Sequence, residues 1–346
     1  MRKTTRLVIS AWLVGACTSC FSQSSPVLQN YFRKHIGLND AEIKSIGAGT
    51  SVAKALPSRT PAEIFVFGAV YVNATPESYV QLSRDFKRLR EIPGFLAVGV
   101  LSSPPRLTDL SGFSFEPDDI EGLRDCKPAD CEVQLPGGHI EDLRKSVDWS
   151  NSSHAEQINK KLQQGVIDRL AMYQRDGNRV LGVYHDKSQP IDVSKQFKYM
   201  LSYSKALPEQ APAFYRYLLD YPKGKPPNTE DAFYWAKVKF GLKPTLRVIQ
   251  VITTKGGTPG RATYLIAEKQ LYASHYFQTA LDLTFCVSDS VDSQKKGFYL
   301  IKVLGSEQDG LTGFTGSMLR RVAVGKSVSS LQESLTTIKN VLENRR

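Results

Sequence analysis

The stretch PTLRVIQVITTKGGTPGRATYLIAEKQLYAS, residues 244–274, contains two segments rich in β-branched and aromatic residues on either side of the turn sequence KGGTPG. Such segments favour extended strands, and the glycines and proline between them favour a tight connection. Two similar segments follow, ALDLTFCVSD at 280–289 and GFYLIKVLG at 297–305. Successive hairpins of this kind predict an antiparallel sheet.

The end of the chain is predicted to pack on this sheet as a helix. In SVSSLQESLTTIKNVLEN, residues 327–344, apolar side chains recur at spacings of three and four. This spacing is typical of an amphipathic helix with one face available for packing. The residues concerned are Val328, Leu331, Leu335, Ile338 and Leu342.

The region before the sheet predicts an additional β-α-β stretch. The segments AEIFVFGAVYV (62–72) and FLAVGVLS (95–102) favour strands, and the helical pattern between them begins after Thr75. Residues 23–62 contain two short helical patterns, and we interpret them as an N-terminal helical cap.

The middle of the chain, residues 113–232, is predicted to be mostly helical. Its longest pattern, at 152–177, has Ser153 and Glu156 at the spacing of a capping box. Two more helical patterns, at 192–207 and 211–222, are bounded by prolines. These helices are expected to form a layer packed on another part of the protein.

This order of elements is similar to the helix-grip fold of the START-like lipid-binding superfamily. The resemblance covers residues 63–112 and 233–346, with 113–232 as a helical insertion. It implies an α+β fold in which an antiparallel sheet grips a long C-terminal helix. It also implies an apolar cavity under Ser327–Arg345 that holds a hydrophobic ligand, or polar groups for catalysis as in polyketide cyclases. The fold alone does not choose between these uses.

Two other stretches carry a second resemblance. DAFYWAKVKFGLKP (231–244) and YASHYFQTALDLTF (272–285) are similar to sequences of a family of exported bacterial proteins with no assigned activity. This likeness implies export and no particular reaction.

The first residues predict export. MRKTTR is a basic segment, and the ten apolar residues LVISAWLVGA after it are too few to span a bilayer of about 30 Å. We interpret residues 1–22 as an export signal, followed by a mature protein without a transmembrane helix. Two kinds of processing remain open. VGAC resembles a bacterial lipobox, in which Cys17 is acylated, whereas cleavage near Ser22 removes that cysteine. The expected location is the periplasm, the outer membrane or the medium.

Export determines how the cysteines are interpreted. In an oxidising compartment Cys126 and Cys131 predict a local disulfide, which closes a small loop and stabilises the fold by roughly 2 kcal/mol. Reduced thiols without a role, and a metal clip or redox pair, are the alternatives. A metal clip would need further ligands, but Cys286 lies in an apolar run and is expected to be a buried thiol. The nearby carboxylates lack the spacing of a calcium loop, and we expect no metal and no cofactor.

The charge of the chain restricts its partners. The formal net charge is +11, yet lysine and arginine are scattered, without a run of five like charges. This pattern argues against nucleic acid as a partner and leaves a solvated surface or an anionic membrane.

Several polar and aromatic residues are candidates for a site. His275 with Asp282 could form a general base, whereas the structural alternative is a core histidine bonded to a backbone carbonyl. The glycines of DGLTGFTGSMLRR, before Arg320, predict a loop over the cavity mouth. The predicted ligand-binding residues are Tyr234, Trp235, Lys237, Tyr272, Tyr276 and Arg320.

Three functions fit these observations. The first is an exported, non-enzymatic protein that binds a lipid or another hydrophobic small molecule at the cell envelope. The second is a cyclase-type or hydrolase-type enzyme that uses His275, although the sequence contains no hydrolase or nucleotide-binding motif. The third is an interaction protein with a filled core and an exposed apolar patch.

Overall fold

The computed structural model describes residues 25–92, 94–239, 243–256, 262–288 and 297–344. The predicted export signal, with Cys17, lies outside these residues. No helix in the described ranges combines the length and the apolar character needed to cross a membrane.

The sheet is antiparallel, as the sequence predicts, and it has eight strands. The hairpin segments pair in the expected succession, so each of the last five strands lies beside the next one along the chain. The strands are β1 (Val52–Leu56), β2 (Glu63–Val72), β3 (Phe95–Leu101), β6 (Thr229–Lys239), β7 (Pro244–Lys255), β8 (Ala262–Ala273), β9 (Phe277–Ser288) and β10 (Phe298–Gln308). Their order across the sheet is β1-β2-β10-β9-β8-β7-β6-β3.

The two strands of the predicted β-α-β stretch are not neighbours. Strand β2 pairs with β10, the last strand of the chain, and β3 pairs with β6 at the far edge. Helix α3 (Pro76–Arg84) and a 3-10 turn (Phe86–Glu91) connect them. The connection therefore crosses the sheet from its second strand to the opposite edge.

The N-terminal region is only partly the helical cap that the sequence predicts. Helices α1 (Pro26–Asn30) and α2 (Asp40–Gly47) flank a π-helical turn at Tyr31–Ile36, but β1 also belongs to this region. The strand was missed because VAKAL is short and only its last residue is buried.

The sheet is covered on both faces. Helices from 113–232 cover the side that we call the insertion face, while α3 and the C-terminal helix cover the opposite side, the helix face. In β2, Phe65 and Phe67 point to the insertion face, and Val66 and Val70 point to the helix face. This double burial explains why the strand reads as a continuous apolar run.

The C-terminal helix α10 (Gly313–Glu343) runs along β2. Leu331 and Leu335 lie directly over Gly68, where a Cβ atom would stand 2.7 Å from Leu335 Cδ1. At its far end the Glu343 carboxylate accepts a hydrogen bond of 2.8 Å from the Asn73 amide. The sheet and helix thus form a helix-grip-like arrangement.

The start of α10 corrects the predicted loop before Arg320. The helix begins at Gly313 and not at Ser327, so the glycine-rich segment is its first part. Few apolar side chains of this first part face the sheet. The sequence there therefore lacks the repeat of apolar residues at spacings of three and four that indicates a packed helix.

The insertion is helical, as predicted, and the Cys126–Cys131 disulfide is present. The pattern expected over 192–207 forms two helices instead of one. A 3-10 turn at Leu107–Leu110 precedes the insertion. The insertion itself contains α4 (Pro117–Asp125), α5 (Gly137–Ser146), α6 (His154–Asp176), a 3-10 turn at Gly177–Val180, a small hairpin of β4 (Val183–Tyr184) and β5 (Ile191–Asp192), α7 (Val193–Leu201), α8 (Ala206–Gln210) and α9 (Pro212–Asp220).

Candidate functional site

His275 is buried at the turn between β8 and β9, and its carboxylate partner is not the predicted one. Its Nε2 lies 3.0 Å from Asp119 Oδ2, and its Nδ1 lies 3.2 Å from the backbone carbonyl of Glu132. Asp282 lies on the helix face of β9, away from this pair. Both ring nitrogens therefore have partners within the fold, as expected of a core histidine.

Asp119 joins this histidine to a cation. Its Oδ1 lies 3.3 Å from Lys243 Nζ, which also contacts Glu132 Oε2 at 2.5 Å. Burial opposes ionisation of Asp119, but hydrogen bonds and charge from His275 and Lys243 lower its pKa overall. The cluster connects α4 and the disulfide loop to the sheet.

A second polar cluster lies on the helix face. Glu268 and Asp282 stand opposite each other on β8 and β9, and Tyr234 donates a hydrogen bond of 3.2 Å to Glu268. Lys302, on β10, is the cation of this cluster: burial opposes its charge, but Tyr79, Glu268 and Asp282 raise its pKa overall. Burial, and then the charge of Glu268, raise the pKa of Asp282 to about 6.

The stability of the protein is expected to depend on this carboxyl. Because the pKa in the unfolded chain is about 3.9, the folded state binds more protons between about pH 4 and 6, and stability falls as pH rises through that window. Asp282→Asn should remove this fall and increase the free energy of unfolding at pH 7 by about 1–2 kcal/mol, after allowance for screening of a partly exposed side chain.

The measurement is urea unfolding of Asp282→Asn and wild type at several pH values. Asp220→Asn, at an exposed position, is the control and should follow the wild-type profile. A profile for Asp282→Asn that falls as steeply as the wild-type profile between about pH 4 and 6 would contradict the expectation.

Lys269 is the most deeply buried cation of the insertion face, with 1% of its surface exposed. Its amine donates to Asn178 Oδ1 and, at 3.0 Å, to the Tyr173 hydroxyl, and it lies 3.9 Å from the centre of the Phe197 ring. Tyr173 in turn donates to Gln250 at 2.6 Å. Burial among these neutral groups lowers the pKa of Lys269 well below its usual range.

Three of the predicted ligand-binding residues have structural partners inside the fold. Trp235 donates from Nε1 to the Asp109 carbonyl at 2.8 Å and packs edge-on against Phe113. Lys237 forms an ion pair of 2.7 Å with Glu116. Through these contacts, both side chains connect the start of the insertion to β6. Tyr234 points to the other face, as described above.

Tyr276 and Arg320 lie in two further places. The Tyr276 hydroxyl accepts a hydrogen bond of 2.9 Å from the Lys243 amide. Arg320 donates from α10 to the Pro61 carbonyl at 3.0 Å and to the Ser58 hydroxyl at 2.6 Å. The predicted ligand-binding residues therefore do not converge on one site.

Tyr272 lines a cavity, which we call the α6 cavity. This space of about 90 Å³ lies between α6 and the sheet and is mainly apolar, with Val166 and Leu271 in its walls. The Tyr272 hydroxyl is buried and has no hydrogen-bond partner in the described part of the chain. The Arg169 guanidinium also borders the cavity and donates to the Val180 carbonyl at 3.0 Å.

A larger cleft lies between the N-terminal helices and α9, and we call it the cap cleft. Its volume is about 680 Å³, and its lining includes Asn30, His35, Glu209 and Lys255 as polar groups. The apolar lining comes from Leu28, Tyr31 and Phe214 on the helices and from Leu265, Phe285, Val287 and Ile301 on the sheet.

Both cavities lie on the insertion face and not under the C-terminal helix. The position expected for a ligand from the resemblance, under Ser327–Arg345, contains the close contact of Leu331 and Leu335 with Gly68. The cap cleft could not be predicted from the sequence, because strands β7 to β10, the N-terminal helices, α8 and α9 contribute to it from distant parts of the chain. The alternation of apolar residues along the strands indicates only that one face of each strand is apolar, and not that a cleft lies against it.

A metal centre is not indicated. The described ranges contain no group of three histidine, cysteine, aspartate or glutamate side chains that is arranged to hold a metal ion.

Comparison of the sequence with protein-family models and with curated proteins gives no match.

Proposed function

We propose that this protein binds a lipid or another hydrophobic small molecule in the cap cleft, outside the cytoplasm. The observation that carries the proposal is the volume of the cleft, about 680 Å³, above an apolar floor of sheet residues. Sites for drug-sized ligands have volumes of about 300–1,000 Å³ and are mostly apolar. The α6 cavity, at about 90 Å³, is too small for such a ligand.

The chemistry of the lining indicates an amphipathic ligand. Leu265, Phe285 and Ile301 form an apolar floor, and burial of apolar ligand atoms against it is favourable by about 25 cal/mol per Å². Asn30 and His35 lie on the same lining and offer donors for a polar head group, whereas the Lys255 amine points to the helix face, 3.8 Å from Glu77 Oε1. The START-like element order and the predicted export signal are consistent with such a function and belong to the same proposal.

The first test is native mass spectrometry, with organic extraction, of protein purified from its own envelope fraction. We expect a stoichiometric hydrophobic molecule that co-purifies with the chain. A clean apo mass, also after incubation with envelope lipids, would contradict the proposal.

A variant locates the ligand. Phe285 is partly exposed in the floor, so Phe285→Gln places an amide against the apolar part of the ligand. We expect affinity for the fluorescent probe N-phenyl-1-naphthylamine to fall about 10-fold or more, because the amide loses hydration without gaining a partner.

The control for this variant is Met172→Gln. Met172 is an exposed apolar residue of α6 that does not line the cap cleft. Its substitution should leave probe affinity unchanged, and thermal unfolding should show that both variants are folded. Equal affinities of Phe285→Gln and wild type would place the ligand elsewhere.

A further inference from the structure

The solvent-facing side of α10 is apolar in the first part of the helix and polar further along. Four large apolar side chains of its first part are exposed to solvent: Phe314 by 97%, Met318 by 73%, Leu319 by 54% and Val322 by 52%. Phe314, Met318 and Val322 follow at a spacing of four and lie on one face of the helix. We call these four residues the apolar stripe. Further along the helix the exposed positions carry polar residues such as Glu333.

The apolar stripe has no place in the core of this chain. The opposite side of the same turns already contacts the body, because Gly316 is buried and Arg320 is hydrogen-bonded to Pro61 and Ser58. Further along, Leu331 and Leu335 fix the rotation of the helix on β2. Rotation of α10 to bury the stripe would break these contacts.

The charges around the stripe have one sign. Between Asp309 and Glu333 the chain has no acidic residue and three basic ones. Arg320 is engaged with the body, while Arg321 and Lys326 are exposed. At 100° per residue Arg321 lies about 20° beyond Phe314 at one edge of the apolar stripe, and Lys326 lies between Val322 and Leu319 at the other edge. The outward face is therefore an apolar strip bordered by positive charge.

We infer that this face of α10 binds the surface of an anionic lipid bilayer. Helices that lie on a membrane surface bury a row of large apolar side chains at the boundary between head groups and acyl chains. Basic residues beside this row contact the lipid phosphates. The apolar stripe supplies the row of apolar side chains. Arg321 and Lys326 supply the basic residues. Pairing with a second copy is less favourable, because a two-fold contact brings the same cations together without an acidic partner.

Vesicle co-sedimentation tests the inference. The full chain carries Cys17→Ser in every sample, so that an acyl group at that position does not contribute. We expect it to bind vesicles of phosphatidylcholine with about 30% phosphatidylglycerol more tightly than pure phosphatidylcholine vesicles, and salt at about 0.5 M should weaken this preference.

Two double variants separate the apolar and the electrostatic parts. Phe314→Ser with Met318→Ser should lower the partition coefficient about 10-fold or more on both kinds of vesicle. Arg321→Ser with Lys326→Ser should remove the preference for anionic vesicles, again about 10-fold. Both pairs are at exposed positions, so thermal unfolding should remain close to wild type.

The matched control is Leu96→Ser with Val100→Ser. These residues are exposed by 53% and 48% on the edge strand β3, so the variant removes similar apolar surface at another place and should bind like wild type. Equal loss in this control and in the stripe variant would overturn the inference, as would a wild-type chain that binds neither vesicle. A dimer in solution that dissociates on Phe314→Ser would assign the stripe to a second copy.

Vesicle binding by the apolar stripe can be tested independently of ligand binding in the cap cleft. Phe285→Gln should bind vesicles like wild type, and the stripe variant should bind N-phenyl-1-naphthylamine like wild type. Failure of one function thus leaves the other measurable.

Discussion

Replacement of Lys269 by alanine is expected to lower the free energy of unfolding by about 3–5 kcal/mol. The substitution removes the buried stem of the side chain and leaves a cavity beside Phe197. It also removes a donor from Asn178 Oδ1 and from the Tyr173 hydroxyl. Chemical unfolding at neutral pH is the measurement.

Lys269→Met separates the contribution of packing from that of the amine. Methionine keeps the apolar stem, and exchange of a buried charge for an apolar group of similar size is often nearly neutral. We expect this variant to lie within about 1–2 kcal/mol of wild type at pH 7. Equal losses for the alanine and methionine variants would show that the amine, and not the packing, dominates.

The same pair of proteins should differ in pH dependence. Burial holds the pKa of Lys269 in the folded state below its unfolded value of about 10.4. Between the two values the unfolded chain binds more protons, so stability from this group rises with pH up to about 10. Wild type should therefore gain stability relative to Lys269→Met as the pH is raised from neutral. A constant difference would contradict the lowered pKa.

The second large effect is expected for Asp119→Ala. The carboxylate of Asp119 is 2% exposed and bridges His275 Nε2 and Lys243 Nζ. Its removal leaves a buried imidazole and a cation without their partner, which costs about 3–5 kcal/mol. Urea unfolding should detect this loss, and α4 with the disulfide loop should become more accessible to hydrogen exchange.

Asp118→Ala is the matched control for this change. Asp118 lies in the same first turn of α4, carries the same charge and is exposed, so its loss should cost less than about 1 kcal/mol. Because the pKa of Asp119 is lowered, its contribution is present above about pH 4 and disappears as the pH falls below that value. Asp119→Ala should therefore lose less stability than wild type on acidification. Equal costs for the two alanine variants would contradict a structural role of the His275 and Asp119 pair.

Much of the architecture could be predicted from local pattern. The strands β7 to β10, the packed part of α10 and the helices of the insertion have periodicities of two or 3.6 that act within short windows. The disulfide joins residues only 5 apart, so the spacing and the expected compartment were sufficient. The first part of α10 escaped this approach because its apolar residues point to solvent.

The candidate site could not be predicted in the same way. The sequence suggested Asp282 as the carboxylate partner of His275, but the partner is Asp119, 156 residues away. Tyr272 lines the α6 cavity and not a cavity under α10, whereas Trp235 and Lys237 bind the insertion to the sheet. Residue type indicates what a side chain can do, and the packing of distant elements selects its partner.

The sequence by itself determined most of the strands and helices, because alternation and helical spacing are properties of neighbouring residues. Strand β1 and the first part of α10 are exceptions. It also determined that the sheet is antiparallel, since short turns permit no other pairing. Only the tertiary structure decided that β2 lies beside β10, that the cavities open on the insertion face, and that the apolar stripe of α10 points outward. A strand pattern shows that two faces exist, but the long-range packing of elements determines what covers each face.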